Sequence, residues 1–205
     1  DVPVLLWTSL PRQMDAPEKR LGFLGLAATS SSLTRLGQNV FRVIGDLGDK
    51  NMNAEILGFA KAAAASSKLC SSRIGVIGSR TPGMLDMTFD ETMIQKLVGS
   101  LEHIELDELY AQLEKVSVAK AKLVIKKIRS RVGQIDVPEN DLIESAKMYL
   151  ALKRLIHEYH LDALTIREWP ELASKKMSAY LACSLLNDEN IPCVSERDAV
   201  STITA

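Results

Sequence analysis

The chain has 205 residues, which is enough for one large or two small domains with a substantial hydrophobic core. Its 25 basic and 26 acidic residues give a formal net charge of −1, so no global field favours nucleic acid or an anionic membrane as a partner. The 3 cysteines are widely spaced and form no C-x-x-C pair, which argues against a disulfide framework or a zinc site and favours the reducing cytoplasm. No apolar run of about 18 residues predicts a membrane span, and the first residues lack the pattern of a signal peptide.

Residues 1–70 predict a strand, helix and strand unit followed by a further helix. The predicted elements are, in chain order, a strand at residues 4–7, a polar loop at 11–19, a helix at 23–36, a strand at Val40–Ile44, a loop at 45–53 and a helix at 54–69. Gly37 is placed to end the first helix. Two strands are few for an independent parallel sheet, so we expect this segment to be the C-terminal part of an α/β domain that begins earlier.

The stretch R-I-G-V-I-G-S-R-T-P-G-M at residues 73–84 divides sharply into an apolar half and a loop-forming half. Its β-branched residues form the short, nearly continuous apolar run expected of a parallel strand that helices cover on both faces. Gly78, Pro82 and Gly83 then break the run. Because ligands bind at such strand ends in open α/β sheets, we expect a functional loop here.

From residue 71 onward strands and helices alternate, which predicts a middle α/β domain over residues 71–205. Its architecture is expected to be a doubly wound parallel sheet with helices on both faces. The elements predicted after the central strand are a helix at residues 91–101, a strand at 103–106, helices at 107–115, 118–132 and 139–160, a strand at 163–166, a helix opened by Pro170, a strand at 191–194 and a helix over 199–205. A capping box at residues 88–91 marks the start of the first of these helices. The helix opened by Pro170 is expected to bury Ala173, Met177, Tyr180 and Ser184.

Three of these strands deliver polar or aromatic residues to their carboxyl ends, at residues 79–84, 167–169 and 195–198. Parallel strands place such ends on one side of a sheet. The residues expected to line one crevice are therefore Arg80, Glu168, Trp169, Glu196 and Asp198. The alternative is that they lie in ordinary surface loops, with Trp169 packed into the core. Of the two last acids, Asp198 is also expected to cap the terminal helix.

Other motifs favour no particular chemistry. The glycines of G-x-x-G-x-x-x-x-G at residues 75–83 have the wrong spacing for a dinucleotide fingerprint, and the lysine of a P-loop is missing. His157 and His160 could ligate a metal, but histidines near a helix end more often cap carbonyls or lie in solvent. The basic segment at residues 120–131 could meet phosphate, but a solvated helix face is the commoner outcome.

At the three strand ends the sequence resembles the L-fucose and L-arabinose isomerases. The loop G-S-R-T-P-G-M at residues 78–84 resembles the one that opens the middle domain of fucose isomerases, and S-E-R-D at 195–198 resembles the acidic motif that ends this domain. Between them, I-R-E-W-P-E-L at 166–172 resembles the segment after the intervening strand. The order and spacing of the motifs carry the resemblance, which covers most of the chain and is best from residue 71 onward.

The resemblance implies roles for particular residues. Glu196 matches the first acidic residue of the family, which ligates a divalent metal, usually Mn²⁺, and takes part in proton transfer. Met84 and Trp169 fall at substrate-contacting positions, and we expect Arg80 to contact the substrate with them. In such isomerases the metal polarises an open-chain sugar while carboxylates move a proton through a cis-enediol. At Arg197 the sequence departs from the arabinose isomerases, which have a glycine there.

Two hypotheses follow for the function. In the first, the chain is a fragment of a metal-dependent isomerase that converts an aldose, either a pentose or a hexose, into a ketose in a cytoplasmic homo-oligomer. One firm carboxylate is too few for a tight Mn²⁺ site, and the other ligands of the family lie in a following domain, expected beyond Ala205, so this piece is expected to be inactive alone. In the second, the chain is a non-catalytic domain of the same architecture that binds a sugar or another small ligand as a sensor.

Overall fold

The computed structural model describes residues 2–9, 21–46 and 48–205. The polar loop predicted at residues 11–19 lies outside the described residues. The chain has an α/β fold in which parallel strands are flanked by helices, as the sequence predicts. It divides into two compact units, Asp1–Lys68 and Leu69–Ala205, which we call the N-terminal unit and the C-terminal unit. No helix within the described ranges is both long and apolar enough to cross a lipid bilayer.

The N-terminal unit contains two parallel strands joined by a helix. Strand β1 (Val4–Thr8), helix α1 (Leu21–Arg35) and strand β2 (Val40–Ile44) follow one another, and the two strands pair along their whole length. Gly37 ends α1 as predicted, because its φ of +83° is a conformation that glycine adopts without strain. The predicted strand, helix and strand unit is thus confirmed.

Helix α2 (Lys50–Ser71) begins earlier than the predicted residue 54. The reason is a side-chain cap. The carboxylate of Asp49 accepts the backbone N–H groups of Asn51 at 2.8 Å and of Met52 at 3.3 Å. Such a cap satisfies amides that the first helical turn leaves without a partner, so it extends the helix beyond its apolar pattern.

The C-terminal unit is a parallel sheet with strand order β4-β3-β5-β6. Its elements are β3 (Arg73–Ile77), α3 (Glu91–Ile94), β4 (Ser100–Ile104), α4 (Leu106–Glu114), α5 (Val118–Arg129), α6 (Glu139–Tyr159), β5 (Ala163–Ile166), α7 (Glu171–Ser174), α8 (Tyr180–Asp188), β6 (Cys193–Ser195) and α9 (Ala199–Thr204). The strand predicted at residues 103–106 lies earlier in the chain, at Ser100–Ile104, because Glu105 caps α4 and Leu106 begins it. The last strand lies later than the predicted residues 191–194.

Side chains of β3 and β5 alternate between two cores, one on each face of the sheet. Val76 and Ala163 belong to the core that α3 and α9 cover. Ile77, Leu164 and Ile166 belong to the larger core beneath α4, α6 and α8. Because both faces are buried, both sets of positions must be apolar, and this produces the continuous apolar runs in the sequence.

The helix predicted over residues 91–101 is wrong in its length. Helix α3 has only 4 residues, and β4 begins already at Ser100. The N-cap is Asp90, whose carboxylate accepts two backbone N–H groups, rather than the threonine of the predicted capping box. A Cβ atom at Gly99 would lie 2.9 Å from backbone atoms just before β3, so the chain passes too close to that backbone for a helix with side chains to continue.

The single helix predicted after Pro170 is two helices, α7 and α8. They are separated by a turn in which Lys176 has a φ of +56°. The predicted buried face is also wrong, since Tyr180 at the start of α8 is 60% exposed. The buried residues of α8 are instead Ala182, Cys183 and Leu186.

Candidate functional site

The carboxyl ends of β3, β5 and β6 lie at one edge of the sheet of the C-terminal unit. Strand β3 has β4 on one side and β5 on the other, so the chain leaves β3 in one direction and later returns on the opposite side. A reversal of this kind is a topological switch point, where the loops after the strands separate and open a crevice. The loops that follow β3, β5 and β6 are the three that carry the sequence motifs.

A cleft of about 490 Å³ lies between these loops and the start of α8. This volume is within the range of small-molecule sites in proteins. Met84, Trp169 and Tyr180 contribute apolar or aromatic surface to its wall, and Glu168 and Glu196 contribute carboxylates. The cleft therefore combines apolar surface with a pair of acids, which is a combination suited to proton transfer on a small organic molecule.

Glu196 is half-buried directly after β6, in an unusual backbone conformation. Its φ is +62° and that of Arg197 is +63°, both in the left-handed region. The Thr81 hydroxyl donates a hydrogen bond to Oε2 of Glu196 at 3.4 Å, and Nε of Arg197 donates to the carbonyl of Gly78 at 3.0 Å. These bonds connect the loop after β6 to the loop after β3. The positive φ of Arg197 also explains why a glycine would suit this position.

Glu168 is the more deeply buried of the two acids, with 5% of its surface exposed. Its Oε1 atom accepts the N–H of Ala179 at 2.7 Å. Burial raises the pKa of Glu168; the Ala179 N–H and the Tyr180 hydroxyl oppose this change, and the charge of Glu196 adds to it. Glu168 therefore holds a proton more readily than an ordinary glutamate.

Tyr180 places its ring in the cleft near both acids. The charge of Glu168, a hydrogen bond to that carboxylate, burial and the charge of Glu196 together raise the pKa of Tyr180. The phenol thus stays protonated at neutral pH and is available as a hydrogen-bond donor toward the acids.

Arg167 holds the loops of the cleft together from beneath the surface. Only 7% of this residue is exposed. Its guanidinium donates to the hydroxyl of Ser79, to the carbonyl of Trp169 at 3.2 Å and to the carboxylate of Glu171 at 2.5 Å. A planar guanidinium with several donors can join three segments in this way, which an ammonium group cannot do as well.

Arg80 stabilises the loop after β3. Its guanidinium donates to the carbonyls of Thr81 and Met84, both at 3.3 Å. Arg80 forms no ion pair with any of the residues that the structure describes.

Arg197 adds positive charge near Arg80. Burial is the main cause that lowers the pKa of Arg197, and the charges of Arg167 and Arg80 lower it further.

The residues predicted to form the site take three positions. Met84, Glu168, Trp169 and Glu196 line the cleft, and Trp169 is 52% exposed rather than packed into the core. Arg80 and Asp198, which were predicted to line the same crevice, are not among its lining residues. Arg80 lies on the same loop as Met84, with its guanidinium bound to backbone carbonyls. Asp198 caps α9 as expected, because its carboxylate accepts a backbone N–H at 2.9 Å. No finding tests the substrate and metal roles of these residues, which stay predictions.

Tyr180 was not predicted to be a cleft residue. Its apolar neighbours in the helical pattern indicated a buried face instead. The signal that marks a new helix is Ser178, whose hydroxyl accepts the N–H of Tyr180 at 3.2 Å. The N-cap of α8 is the following residue, Ala179, and this helix start borders the cleft that Tyr180 lines.

A larger groove of about 800 Å³ lies between α5, α6 and α8 and shares no residue with the cleft. Size alone would favour this groove as a binding site. Two of its three acids, Asp188 and Glu189, are however paired with Arg131 at 3.0 Å and Lys153 at 2.7 Å. The third, Glu158, accepts a hydrogen bond from the side-chain amide of Gln112 at 2.7 Å. The carboxylates of the cleft have no such cationic partner among the described residues, so the chemistry favours the cleft as the candidate site.

The donor set of the cleft does not by itself fit the Mn²⁺ ion that the resemblance implies. Glu168 and Glu196 supply two carboxylates, whereas hard divalent cations take about six oxygen ligands. Within the described ranges no three histidine, cysteine or acidic side chains form a cluster that could hold a metal. The requirement for manganese therefore stays a prediction, and the chemistry that follows from this cleft uses protein groups alone.

The fold and the cleft define the class of the C-terminal unit, which is an open, doubly wound α/β domain with a cleft at its switch point. No protein-family model matches the chain. Among curated proteins, the chain is similar to the sulfoquinovose isomerases of Priestia aryabhattai and Priestia megaterium, with 23% identity over 187 residues in each case. The alignments cover 90% of this chain and 41% of each relative, so the chain spans about two fifths of their length. This similarity is to sugar isomerases in general and does not single out the fucose or arabinose enzymes.

Proposed function

We propose that this chain carries an acid–base pair of a sugar isomerase that interconverts an aldose and a ketose. The observation that carries the proposal is the presence of Glu168 and Glu196 in one cleft at the switch point of the sheet. The distant similarity to two sulfoquinovose isomerases supports the same class of reaction. Because the chain spans 41% of the length of those relatives, the activity is proposed for the intact protein that contains it.

The reaction needs one proton to move between two carbon atoms and another to move between their oxygens. We assign the carbon step to Glu196, which removes the proton from C2 of the open-chain aldose and returns it to C1 through a cis-enediol. The Thr81 hydroxyl orients the carboxylate for this step. Glu168, whose raised pKa favours the protonated form, and Tyr180 exchange the proton of the oxygens. In this assignment the buried Glu168, which holds a proton more readily than an ordinary glutamate, serves as the acid, and Glu196 serves as the base.

The proposed substrate is an open-chain pentose or hexose, and sulfoquinovose is the first candidate because the two relatives are named for it. Met84 and Trp169 offer an apolar wall for the C–H face of a sugar. Arg80 lies on the same loop as Met84 and forms no ion pair with the described residues, and we propose that its guanidinium leaves the Thr81 and Met84 carbonyls to bind an anionic substituent of the substrate.

The test is an isomerase assay on the intact protein with sulfoquinovose and with neutral pentoses and hexoses, each with and without added Mn²⁺. In deuterated water we expect one aldose to yield its ketose, with solvent deuterium incorporated at the carbon that receives the transferred proton. The readout is ¹H NMR of both sugars.

If no sugar in the panel gives a ketose or exchanges a proton, the isomerase proposal is wrong. Saturable binding of a sugar without any exchange would then favour the ligand-binding sensor domain.

A further inference from the structure

Two buried cysteines meet where α8 packs on β6. The Sγ atom of Cys193 lies 3.1 Å from Sγ of Cys183 and donates a hydrogen bond to it. Cys183 is 7% exposed and Cys193 is 2% exposed. A disulfide has a sulfur–sulfur distance of about 2.05 Å, so a movement of about 1 Å would bring the pair to bonding distance.

Hydrogen bonds from the side chain of Asn187 hold α8 against β6 beside the two cysteines. Asn187 lies one turn after Cys183 on α8, and residues four apart share a helix face. The side-chain amide of Asn187 donates to the carbonyl of Cys193 at 3.0 Å and accepts the N–H of Cys193 at 2.9 Å. These two bonds anchor α8 to the backbone of β6 next to the thiols, so the backbone segments that carry the two cysteines are held close together.

We propose that Cys183 and Cys193 are an oxidisable pair that hydroperoxides convert into a disulfide. In the first step, the sulfur of Cys183, the less buried of the two, attacks the O–O bond of hydrogen peroxide and becomes a sulfenic acid, and one water is released. In the second step, the sulfur of Cys193 attacks the sulfenic sulfur, the S–S bond forms and a second water leaves. One peroxide is thus reduced to two waters, and both thiol protons leave with them.

Burial slows the oxidation of this pair, and the contact between the two thiols favours the disulfide as its product. The contact with Cys183 and burial raise the pKa of Cys193. Since the thiolate is the reactive form, we expect the pair to react more slowly than Cys70, which is exposed. Once a sulfenic acid forms, however, the second thiol is already in contact, so disulfide formation should precede further oxidation to a sulfinic acid.

The disulfide would join two elements that border the cleft. Tyr180 lies one turn before Cys183 on α8, and Glu196 follows Cys193 closely after β6. A covalent bond between α8 and β6 would hold these two cleft residues at a fixed separation. It would also close a loop in the unfolded chain, which should raise the melting temperature by about 4 °C or more.

The test uses the full chain with Cys70→Ser, which removes the exposed thiol. After treatment with hydrogen peroxide, the protein is denatured and alkylated, and mass spectrometry counts the remaining thiols. We expect both thiols to disappear with the loss of two hydrogen atoms, a cross-linked peptide pair, and a rise in melting temperature that dithiothreitol reverses. The matched Cys70→Ser/Cys183→Ser protein should form no such bond and should show no rise.

Two results would overturn the proposal. In one, both thiols remain open to alkylation after the peroxide dose and the exposure time have each been raised at least about tenfold beyond those that fully oxidise Cys70 in the unchanged chain, while the fold is retained. In the other, a sulfinic acid forms at either buried cysteine without a cross-link. If the Cys70→Ser/Cys183→Ser protein does not fold, the cross-linked peptide of the Cys70→Ser protein still tests the proposal, because it reports the covalent bond directly.

Discussion

Glu196 and Arg197 adopt consecutive positive φ angles of 62° and 63°. A left-handed backbone costs a non-glycine residue about 1 kcal/mol or more, so other contacts must stabilise this turn. The hydrogen bonds from Arg197 to the carbonyl of Gly78 and from Thr81 to Glu196 do so. A strained turn that is held in place at a strand end is typical of a functional position, which agrees with the role proposed for Glu196.

Replacing Glu196 by Gln should abolish isomerisation by the intact protein without unfolding it. The amide keeps the size of the side chain and can still accept the hydrogen bond of Thr81. It cannot take up a proton, however, so we expect the turnover number to fall by about 100-fold or more. Steady-state kinetics measure the loss, and a thermal melt followed by circular dichroism checks that the fold is retained.

Asp198→Asn is the matched control for this change. Asp198 accepts the N–H of Ser201 at 2.9 Å as the cap of α9, and Asn serves as an N-cap nearly as well. We expect turnover close to that of the unchanged protein. Near-normal turnover of the Glu196→Gln protein would show that the motif assignment is wrong.

Glu168 should make the stability of the fold depend on pH, in a direction opposite to that of an ion-paired acid. Its folded-state pKa is raised above the ordinary value of 4.5, so the folded chain takes up this proton at a higher pH than the unfolded chain does. The cost of the buried charge is therefore present at neutral pH and is relieved as the pH falls toward 4.5. Glu168→Gln should be more stable than the unchanged protein at neutral pH, and this advantage should shrink on acidification.

Urea unfolding at a series of pH values measures this effect. The exposed Glu114 offers a matched control, since Glu114→Gln makes the same change from an acid to an amide in solvent and should change the stability by less than about 0.5 kcal/mol. A Glu168→Gln protein whose stability runs parallel to that of the unchanged protein over the whole range would contradict the assignment of a buried, easily protonated acid.

At the scale of the elements, Arg167 connects the loop after β3, the loop after β5 and α7. Replacing it by Met should destabilise the fold by about 1–2 kcal/mol, because the guanidinium hydrogen bonds are lost and the carboxylate of Glu171, which has one oxygen buried without a hydrogen bond, loses its partner. The cost stays below that of a fully buried pair because the Glu171 side chain is 38% exposed. The free energy of unfolding, measured with urea, gives the cost. The double variant Arg167→Met/Glu171→Leu should recover part of it, since no uncompensated charge remains. A double variant less stable than Arg167→Met would show that the ion pair is not the main link.

The central strands β3 and β5 were the most predictable elements of the C-terminal unit, and the physical reason is burial on both faces. Because helices cover both faces of β3, every position in the run that contains Val76 and Ile77 must be apolar. A short continuous apolar run of this kind predicts a buried strand from the sequence alone. The helices after β3 and β5 were less predictable because distant contacts decide their ends. Gly99 lies against backbone that is remote in the sequence, and Glu168 binds the N–H of Ala179 before α8. Neither contact leaves a periodic pattern in the sequence.

The candidate site could be predicted to the extent that it depends on strand ends. Glu196, Met84 and Trp169 lie in loops that directly follow parallel strands, so their common edge follows from the topology. Tyr180 comes from the start of a helix on a different element, and its apolar ring suggested a core position. Which helix start borders a cleft is a property of tertiary packing that spacing along the chain does not reveal.

At the scale of the whole molecule, the two units differ in how much apolar surface they bury. Among the described residues of the N-terminal unit, the buried hydrophobic side chains are Leu26, Val43 and Met52. In the C-terminal unit, the strands β3 and β5 and the helices α4, α6 and α8 share a large continuous core. Since burial of apolar surface is the main source of stability, the C-terminal unit should hold most of the free energy of folding.

Hydrogen exchange should therefore separate the two units in this chain. We expect the amides of β3 and β5 to exchange only through global unfolding, because Val76, Ile77, Leu164 and Ile166 are completely buried. The amides of β1 and β2 should exchange at least about tenfold faster, since a small core opens at a lower free energy and a difference of about 1.4 kcal/mol already gives this factor. Exchange measured by mass spectrometry on peptides that cover β2 and β5 makes the comparison directly. A low concentration of urea should accelerate exchange in β2 before it affects β5, and equal protection of both strands at every concentration would mean that the chain unfolds as one cooperative body.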